Sequence, residues 1–108
     1  MKAEELKKAY QKMSRQLKKE GFNHKCVMTA RQQELGTATI CFGYVIDSEG
    51  VVKEFGTVEQ QREKNRQEFE KLKKAKPLKD FCTMANATIG MEKKNEGRIE
   101  FWYLRFTY

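Results

Sequence analysis

The chain has 108 residues, with 22 lysine and arginine against 15 aspartate and glutamate residues and a formal net charge of +7. This length fits a single domain, 1–108, and the 39% hydrophobic content with one Trp, four Tyr and seven Phe favours a folded core over disorder. No apolar run approaches the ~20 residues of a membrane span, and the first residues lack the apolar core of a signal peptide. We therefore expect a soluble protein without a membrane partner.

The N-terminal segment predicts a helix over residues 2–20. Its apolar residues recur at spacings of four, three and four, which places them on one stripe of a helix. Gly21 then provides the stop. The stripe consists of Leu6, Tyr10, Met13 and Leu17.

Two strands are predicted next, over residues 25–32 and 37–47, because polar and apolar residues alternate there. Turn residues at 47–50 predict a return along a short hairpin strand, Val51 to Phe55. The second strand is expected to place one set of side chains on the core: Ala38, Ile40, Phe42, Tyr44 and Ile46.

The segment Phe42-Gly43-Tyr44-Val45 matches the middle of an RNA-binding motif of single-strand binding domains. Ile40 stands where that motif has a basic residue, and Asp47 stands where it has its last aromatic. These departures favour Phe42 and Tyr44 as core residues over a stacking platform for bases.

A second helix is predicted from Thr57, which forms a capping box with Gln60, to Lys76, where Pro77 prevents continuation. Residues 59–68 are polar throughout. A helix buries a core face only where apolar residues persist along it, so its first half should extend past the core or face a partner.

Two final strands are predicted, over residues 81–91 and 98–108, around a polar turn at 92–97. The last strand is apolar on both faces, with Phe101 and Tyr103 on one and Trp102 and Leu104 on the other. This pattern indicates a central strand or a sheet covered on both sides. The fold class is therefore α+β, with the order α-β-β-β-α-β-β: an antiparallel meander of about five strands with two helices on one face.

Cysteine and histidine usage predicts neither a cofactor nor a metal site. Cys26, Cys41 and Cys82 are odd in number and far apart, which favours free thiols and a cytoplasmic protein, and His24 is the only histidine. No phosphate-binding loop, metalloprotease motif or nucleophile elbow occurs. We therefore expect a protein that is not an enzyme.

The positive charge belongs to the two predicted helices. Residues 1–20 carry a net +4, residues 57–76 a net +3, and the remainder is neutral. A basic helical layer is typical of a nucleic-acid binder, although a solvated lysine-rich face kept cationic for solubility gives the same pattern.

The chain also resembles the YezG-like immunity proteins of contact-dependent growth inhibition systems. The likeness lies in the layout of N-terminal helix, β-meander, polar second helix and closing hairpin, and in the segment Asn95-Glu96-Gly97-Arg98-Ile99-Glu100-Phe101. It implies a protein that binds and blocks a cognate toxin, often a nuclease. Nuclease inhibitors are usually acidic and this chain is basic. The resemblance therefore implies an acidic toxin surface or a contact through the neutral sheet side.

Two hypotheses follow for the partner. The first is a protein, such as a toxin, bound by the polar half of the second helix and by aromatic anchors on the sheet; a homodimer formed by sheet extension is also open. Its predicted contact residues are Gln60, Gln61, Arg62, Lys64, Asn65, Arg66, Trp102 and Tyr108. The alternative is a nucleic acid, bound by Lys7, Lys8, Lys12, Arg15, Arg62, Lys64 and Arg66.

Overall fold

The computed structural model describes residues 3–22, 25–26 and 36–108. Within these ranges the chain forms four helices and four strands. The helices are α1 (Ala3–Lys19), α2 (Glu49–Phe55), α3 (Val58–Lys74) and α4 (Lys76–Ala85). The strands are β1 (Lys25–Cys26), β2 (Thr37–Ile46), β3 (Thr88–Glu96) and β4 (Ile99–Thr107).

The strands form one antiparallel sheet in the order β1-β2-β4-β3. The α+β class is confirmed, and β4 is the central strand that its two apolar faces predicted. The meander is wrong, because β2 pairs with β4 and the three helices α2–α4 lie between them in the chain. Three strands are long, and β1 pairs only two residues with β2. The predicted strand residues 27–32 lie outside the described residues.

The hydrophobic core lies on one face of the sheet, beneath α1, α3 and α4. The apolar stripe of α1 is buried as predicted. Tyr10 lies at its centre: its ring packs edge-to-face on Phe81 of α4 and Phe106 of β4, and its hydroxyl donates a 2.7 Å hydrogen bond to the Thr39 carbonyl. These contacts join α1, α4 and the sheet into one core.

Two predicted strand segments are helical instead. Val51 to Phe55 belongs to α2, which follows Ser48 as its N-cap and ends at Gly56, where φ is +102°. Phe81 to Ala85 belongs to α4, because the chain resumes a helix after an extended Ala75. Pro77 lies in the first turn of α4. A backbone N–H at that position has no acceptor within the helix, so a proline, which lacks this N–H, is tolerated there. Pro77 therefore marks the start of a further helix and not the start of a strand region.

A bulge in β2 changes which side chains face the core. Cys41 pairs with Tyr103 and Gly43 with Trp102, so Phe42 is an extra residue in the strand. Beyond this bulge Val45 is buried and Tyr44 is turned to the open face, where 45% of it is exposed. The prediction that Tyr44 belongs to the core is therefore wrong.

Strands β3 and β4 are joined by a two-residue turn, Gly97 and Arg98, in place of the six-residue turn predicted. Gly97 has φ +61° and Arg98 has no positive φ. A glycine in the first central position is the arrangement of a type II′ hairpin, whose twist matches that of the flanking strands. The segment that carries the resemblance to immunity proteins is thus the tip of this hairpin and the start of the central strand.

Candidate partner-binding surface

The first half of α3 holds the exposed edge of β2 with two side-chain amides. Strand β1 pairs only with Ile40 and Cys41, so the backbone of β2 beyond the bulge needs other partners. Gln61 receives a 2.9 Å hydrogen bond from the Ile46 N–H at its Oε1 and donates from Nε2 to the carbonyls of Ile46 and Gly56. One turn later, Asn65 Nδ2 donates to the Tyr44 carbonyl at 3.1 Å.

Both amides are buried, so they serve the packing of α3 on the sheet. They continue the inward-facing stripe of α3, but with polar side chains. Polar groups suit this position because the stripe here contacts the backbone edge of β2 and not the apolar core. Gln61 and Asn65 were predicted to contact a partner. Their hydrogen bonds hold the strand edge, and their remaining exposed atoms line the groove described below.

Arg62 also forms its contacts within the fold. Its guanidinium donates to Glu59 at 2.7 Å and to Glu100 at 3.1 Å, and Glu100 in turn accepts a 2.7 Å hydrogen bond from the indole Nε1 of Trp102. Partial burial acts to raise the pKa of Glu100, but the hydrogen bonds from Arg62 and Trp102 outweigh it and lower that pKa. Glu100 therefore stays ionised and fixes α3 against β4.

The other predicted contact residues divide between bonded and exposed positions. Gln60 completes the capping box with Thr57, which confirms that motif, and Arg66 pairs with Glu63 at 3.1 Å. Trp102 is fully buried, so its prediction as an anchor on the open sheet face is wrong.

Tyr108 is half-buried, and its hydroxyl donates to the Thr37 carbonyl at 3.3 Å. Burial raises its pKa. Lys64 is exposed and forms no ion pair with a described residue, which leaves it available to a ligand.

Lys64 lies at the rim of an apolar groove of about 270 Å³ where α2, α3 and β2 meet. Val51 and Phe55, one helical turn apart on α2, form one wall, and Tyr44 and Ile46 of β2 form another. Helix α2 has no buried residue, and Phe55 is 61% exposed. An aromatic side chain this exposed beside an apolar groove is typical of a binding site.

Aromatic side chains continue from the groove across the open face of the sheet. The ring of Tyr44 meets that of Phe101 edge-to-face with centroids 5.4 Å apart, and Phe101 lies 6.4 Å from Tyr103. Lys94 places its ammonium 5.7 Å from the ring of Tyr103. We call Tyr44, Phe55, Phe101 and Tyr103 the aromatic patch.

The tyrosines of the aromatic patch are neutral at physiological pH. Electrostatic interaction with the neighbouring Cys41 side chain, followed by burial, raises the pKa of Tyr44, and burial is the largest cause that raises the pKa of Tyr103. The patch thus offers apolar area and hydroxyl groups, and charged side chains of both signs border it, among them Lys64, Lys94 and Glu92.

Sequence reasoning missed Phe55 and Tyr44 for two separate reasons. Phe55 was placed in a strand, although its four-residue spacing from Val51 is also the spacing of one helical face. Tyr44 was placed in the core, since strict alternation along β2 does not reveal a bulge. The glycine that follows Phe42 was the available signal, because an isolated glycine inside a strand often marks a bulge.

Comparisons with protein-family models, curated proteins and solved structures found no match to this chain. Among the described residues no helix has the length and apolarity needed to cross a membrane. In the same part of the chain, no three His, Cys, Asp or Glu side chains are grouped so that they could hold a metal ion.

Proposed function

We propose that this protein is a non-enzymatic, protein-binding inhibitor that docks its partner on the aromatic patch and the adjoining groove. The observation that carries this proposal is the exposure of Phe55 and Tyr44 around an apolar groove. Binding energy at protein interfaces is concentrated in a few aromatic anchors surrounded by a polar rim. Lys64 and Lys94 would form part of such a rim.

The resemblance to immunity proteins supports inhibition as the consequence of this binding. That resemblance implied either an acidic toxin surface or contact through the neutral sheet side. The aromatic patch lies on the sheet side and holds no charged side chain of its own, which favours the second option. We infer that the partner presents an apolar surface with acidic residues around it, to meet Lys64 and Lys94.

Site-specific photo-crosslinking tests where the partner binds. A photoreactive amino acid replaces Lys64 at the rim of the groove, and a matched variant carries it at Lys74, an exposed lysine of the same helix. We expect one protein to be captured from source cells by the Lys64 variant and not by the Lys74 variant. Equal capture at both positions would contradict the proposed surface.

Affinity measurements with the purified partner then test the anchors. Phe55→Ala should weaken binding about 30-fold, since truncation of a central aromatic anchor costs ~2 kcal/mol or more. Met84→Ala is the control, because Met84 is similarly exposed, at 55%, on α4. If the partner's activity continues unchanged in the saturated complex, binding stands and inhibition is refuted.

A further inference from the structure

The outer face of α1 carries six cations and, between residues 7 and 19, no acid. All six are exposed. Four of them recur at spacings of four, three and four, so they form one stripe on the side of the helix opposite the buried apolar stripe. We call these four residues the cationic stripe: Lys8, Lys12, Arg15 and Lys19.

The charge of α1 is uncompensated, unlike that of α3. Along α3, Arg62, Arg66 and Lys73 each pair with a glutamate three residues earlier in the chain. No described residue forms an ion pair with a cation of α1. Cations that balance no acid of their own chain keep their full attraction for an external anion.

Among the described residues, the acidic groups near the cationic stripe are Glu4 and Glu5 at its start, Glu20 after its end, and Asp80 of α4 beside it. Glu4 and Glu5 belong to the first turn of α1, where they complement the helix dipole. Asp80 of α4, which borders grooves shared with Lys12 and Lys19, is held by Lys76 at 2.9 Å. The positive field of the stripe therefore extends toward α4 without being cancelled there.

The form of the stripe fits a row of phosphates. Lys19 follows Lys8 by eleven positions, which corresponds to ~16 Å along a helix axis, or about five phosphates of one duplex strand. A membrane surface is a poorer fit, because an interfacial helix buries its apolar face in the lipid. The apolar face of α1, from Leu6 to Leu17, is already buried in the core.

We propose that the cationic stripe of α1 is a binding surface for the phosphate backbone of nucleic acid. It contacts phosphates without reading bases, so it confers affinity and not sequence specificity. Arg62 and Arg66 are committed to glutamates and do not belong to this surface. The surface is separate from the aromatic patch, which lies on the other side of the sheet.

Salt-dependent binding to a fluorescent 20-base-pair DNA duplex tests the proposal, with single-stranded RNA of equal length as a second probe. Neutralisation of four phosphates predicts a slope of log K against log salt of about −3.6 for duplex and about −2.8 for a single strand. The first slope amounts to about a 150-fold loss of affinity between 50 and 200 mM salt. An absence of binding to both probes at 50 mM salt would overturn the proposal.

Two variants of equal charge separate the stripe from net charge. Lys8→Gln/Lys12→Gln/Arg15→Gln should weaken duplex binding about tenfold or more at 100 mM salt and reduce the slope to about −1. Lys53→Gln/Lys71→Gln/Lys74→Gln removes three exposed cations from α2 and α3 and should retain the full slope. Equal losses in the two variants would refute a localised site.

Vesicles and the protein partner provide the remaining controls. Vesicles with 30% anionic lipid should bind the protein much more weakly than the duplex does, and tighter binding to vesicles would assign the stripe to a membrane. The α1 variant should retain the affinity for the protein partner that Phe55→Ala loses. Failure of the nucleic-acid proposal is thus distinguishable from failure of the proposed function.

Discussion

Gly43 is the position where one added carbon should disturb the contact between α3 and the sheet. A Cβ at Gly43 would lie 2.3 Å from Oδ1 and 2.7 Å from Cγ of Asn65. Carbon–oxygen contacts require more than 3 Å, so in Gly43→Ala the Asn65 side chain has to move by about 1 Å. That movement breaks its hydrogen bond to the Tyr44 carbonyl.

The cost of Gly43→Ala combines two effects. Overpacking of a filled site costs ~1–3 kcal/mol, and loss of the buried hydrogen bond between Asn65 and Tyr44 costs about 1 kcal/mol more. Together they predict a loss of ~2–4 kcal/mol in the free energy of unfolding. A loss of this size is a large fraction of the ~5–15 kcal/mol that stabilises a typical domain.

A double-mutant cycle with Asn65→Ala isolates the contact, measured by urea unfolding. With Asn65 truncated, the added methyl meets no amide, so Gly43→Ala should then cost less than about 1 kcal/mol. Gly90→Ala is the control: Gly90 is also a strand glycine, but nothing lies within 4 Å of its Cβ position. An equal cost of Gly43→Ala in both backgrounds would refute the reasoning.

Two further substitutions test the Gln61 hydrogen bonds and the buried carboxylate. Gln61→Met should lower the free energy of unfolding by ~2–4 kcal/mol, because it removes three hydrogen bonds to backbone groups. The control, Gln67→Met at an exposed position of the same helix, should change it by less than about 0.5 kcal/mol. Similar urea midpoints for the two variants would contradict the role of Gln61. Glu100→Gln should cost ~1 kcal/mol at pH 7, where the carboxylate binds Arg62 and Trp102. Because folding lowers the pKa of Glu100, its contribution is complete above the unfolded value of ~4.3 and is lost as the pH falls through the folded pKa. Unfolding of both proteins at pH 7, 5 and 3 should show the difference become smaller as the pH falls below the unfolded value, and a constant difference would refute the assignment.

Elements whose determinants are local in the chain were predictable. The stripe from Leu6 to Leu17 defines α1 by its own periodicity, and Thr57 with Gln60 defines the start of α3 by a reciprocal pair of hydrogen bonds. The two apolar faces of β4 follow from its central place in the sheet. In each case the signal and the structure that it specifies lie within one segment.

Elements that depend on distant partners were not predictable in the same way. Val51 to Phe55 and Phe81 to Ala85 are too short and apolar for periodicity to separate helix from strand. The bulge beside Gly43 depends on Asn65, twenty-two residues later, because the Asn65 side chain fills the space that a side chain at position 43 would occupy. The pairing of β2 with β4 likewise joins residues that are 53 or more positions apart in the chain, and no local pattern predicts it.

The polar first half of α3 shows why polar composition alone does not identify a binding surface. Its amides, Gln61 and Asn65, face inward to satisfy a strand edge, while Arg62 and Arg66 are neutralised by glutamates. Many polar groups of a segment that was predicted to be an exposed binding helix therefore form hydrogen bonds and ion pairs within the fold. Two other features of the described residues remain unmatched within the fold: the partly exposed aromatic patch, and the cationic stripe of α1, whose cations form no ion pair. These two features are the docking surfaces that we propose.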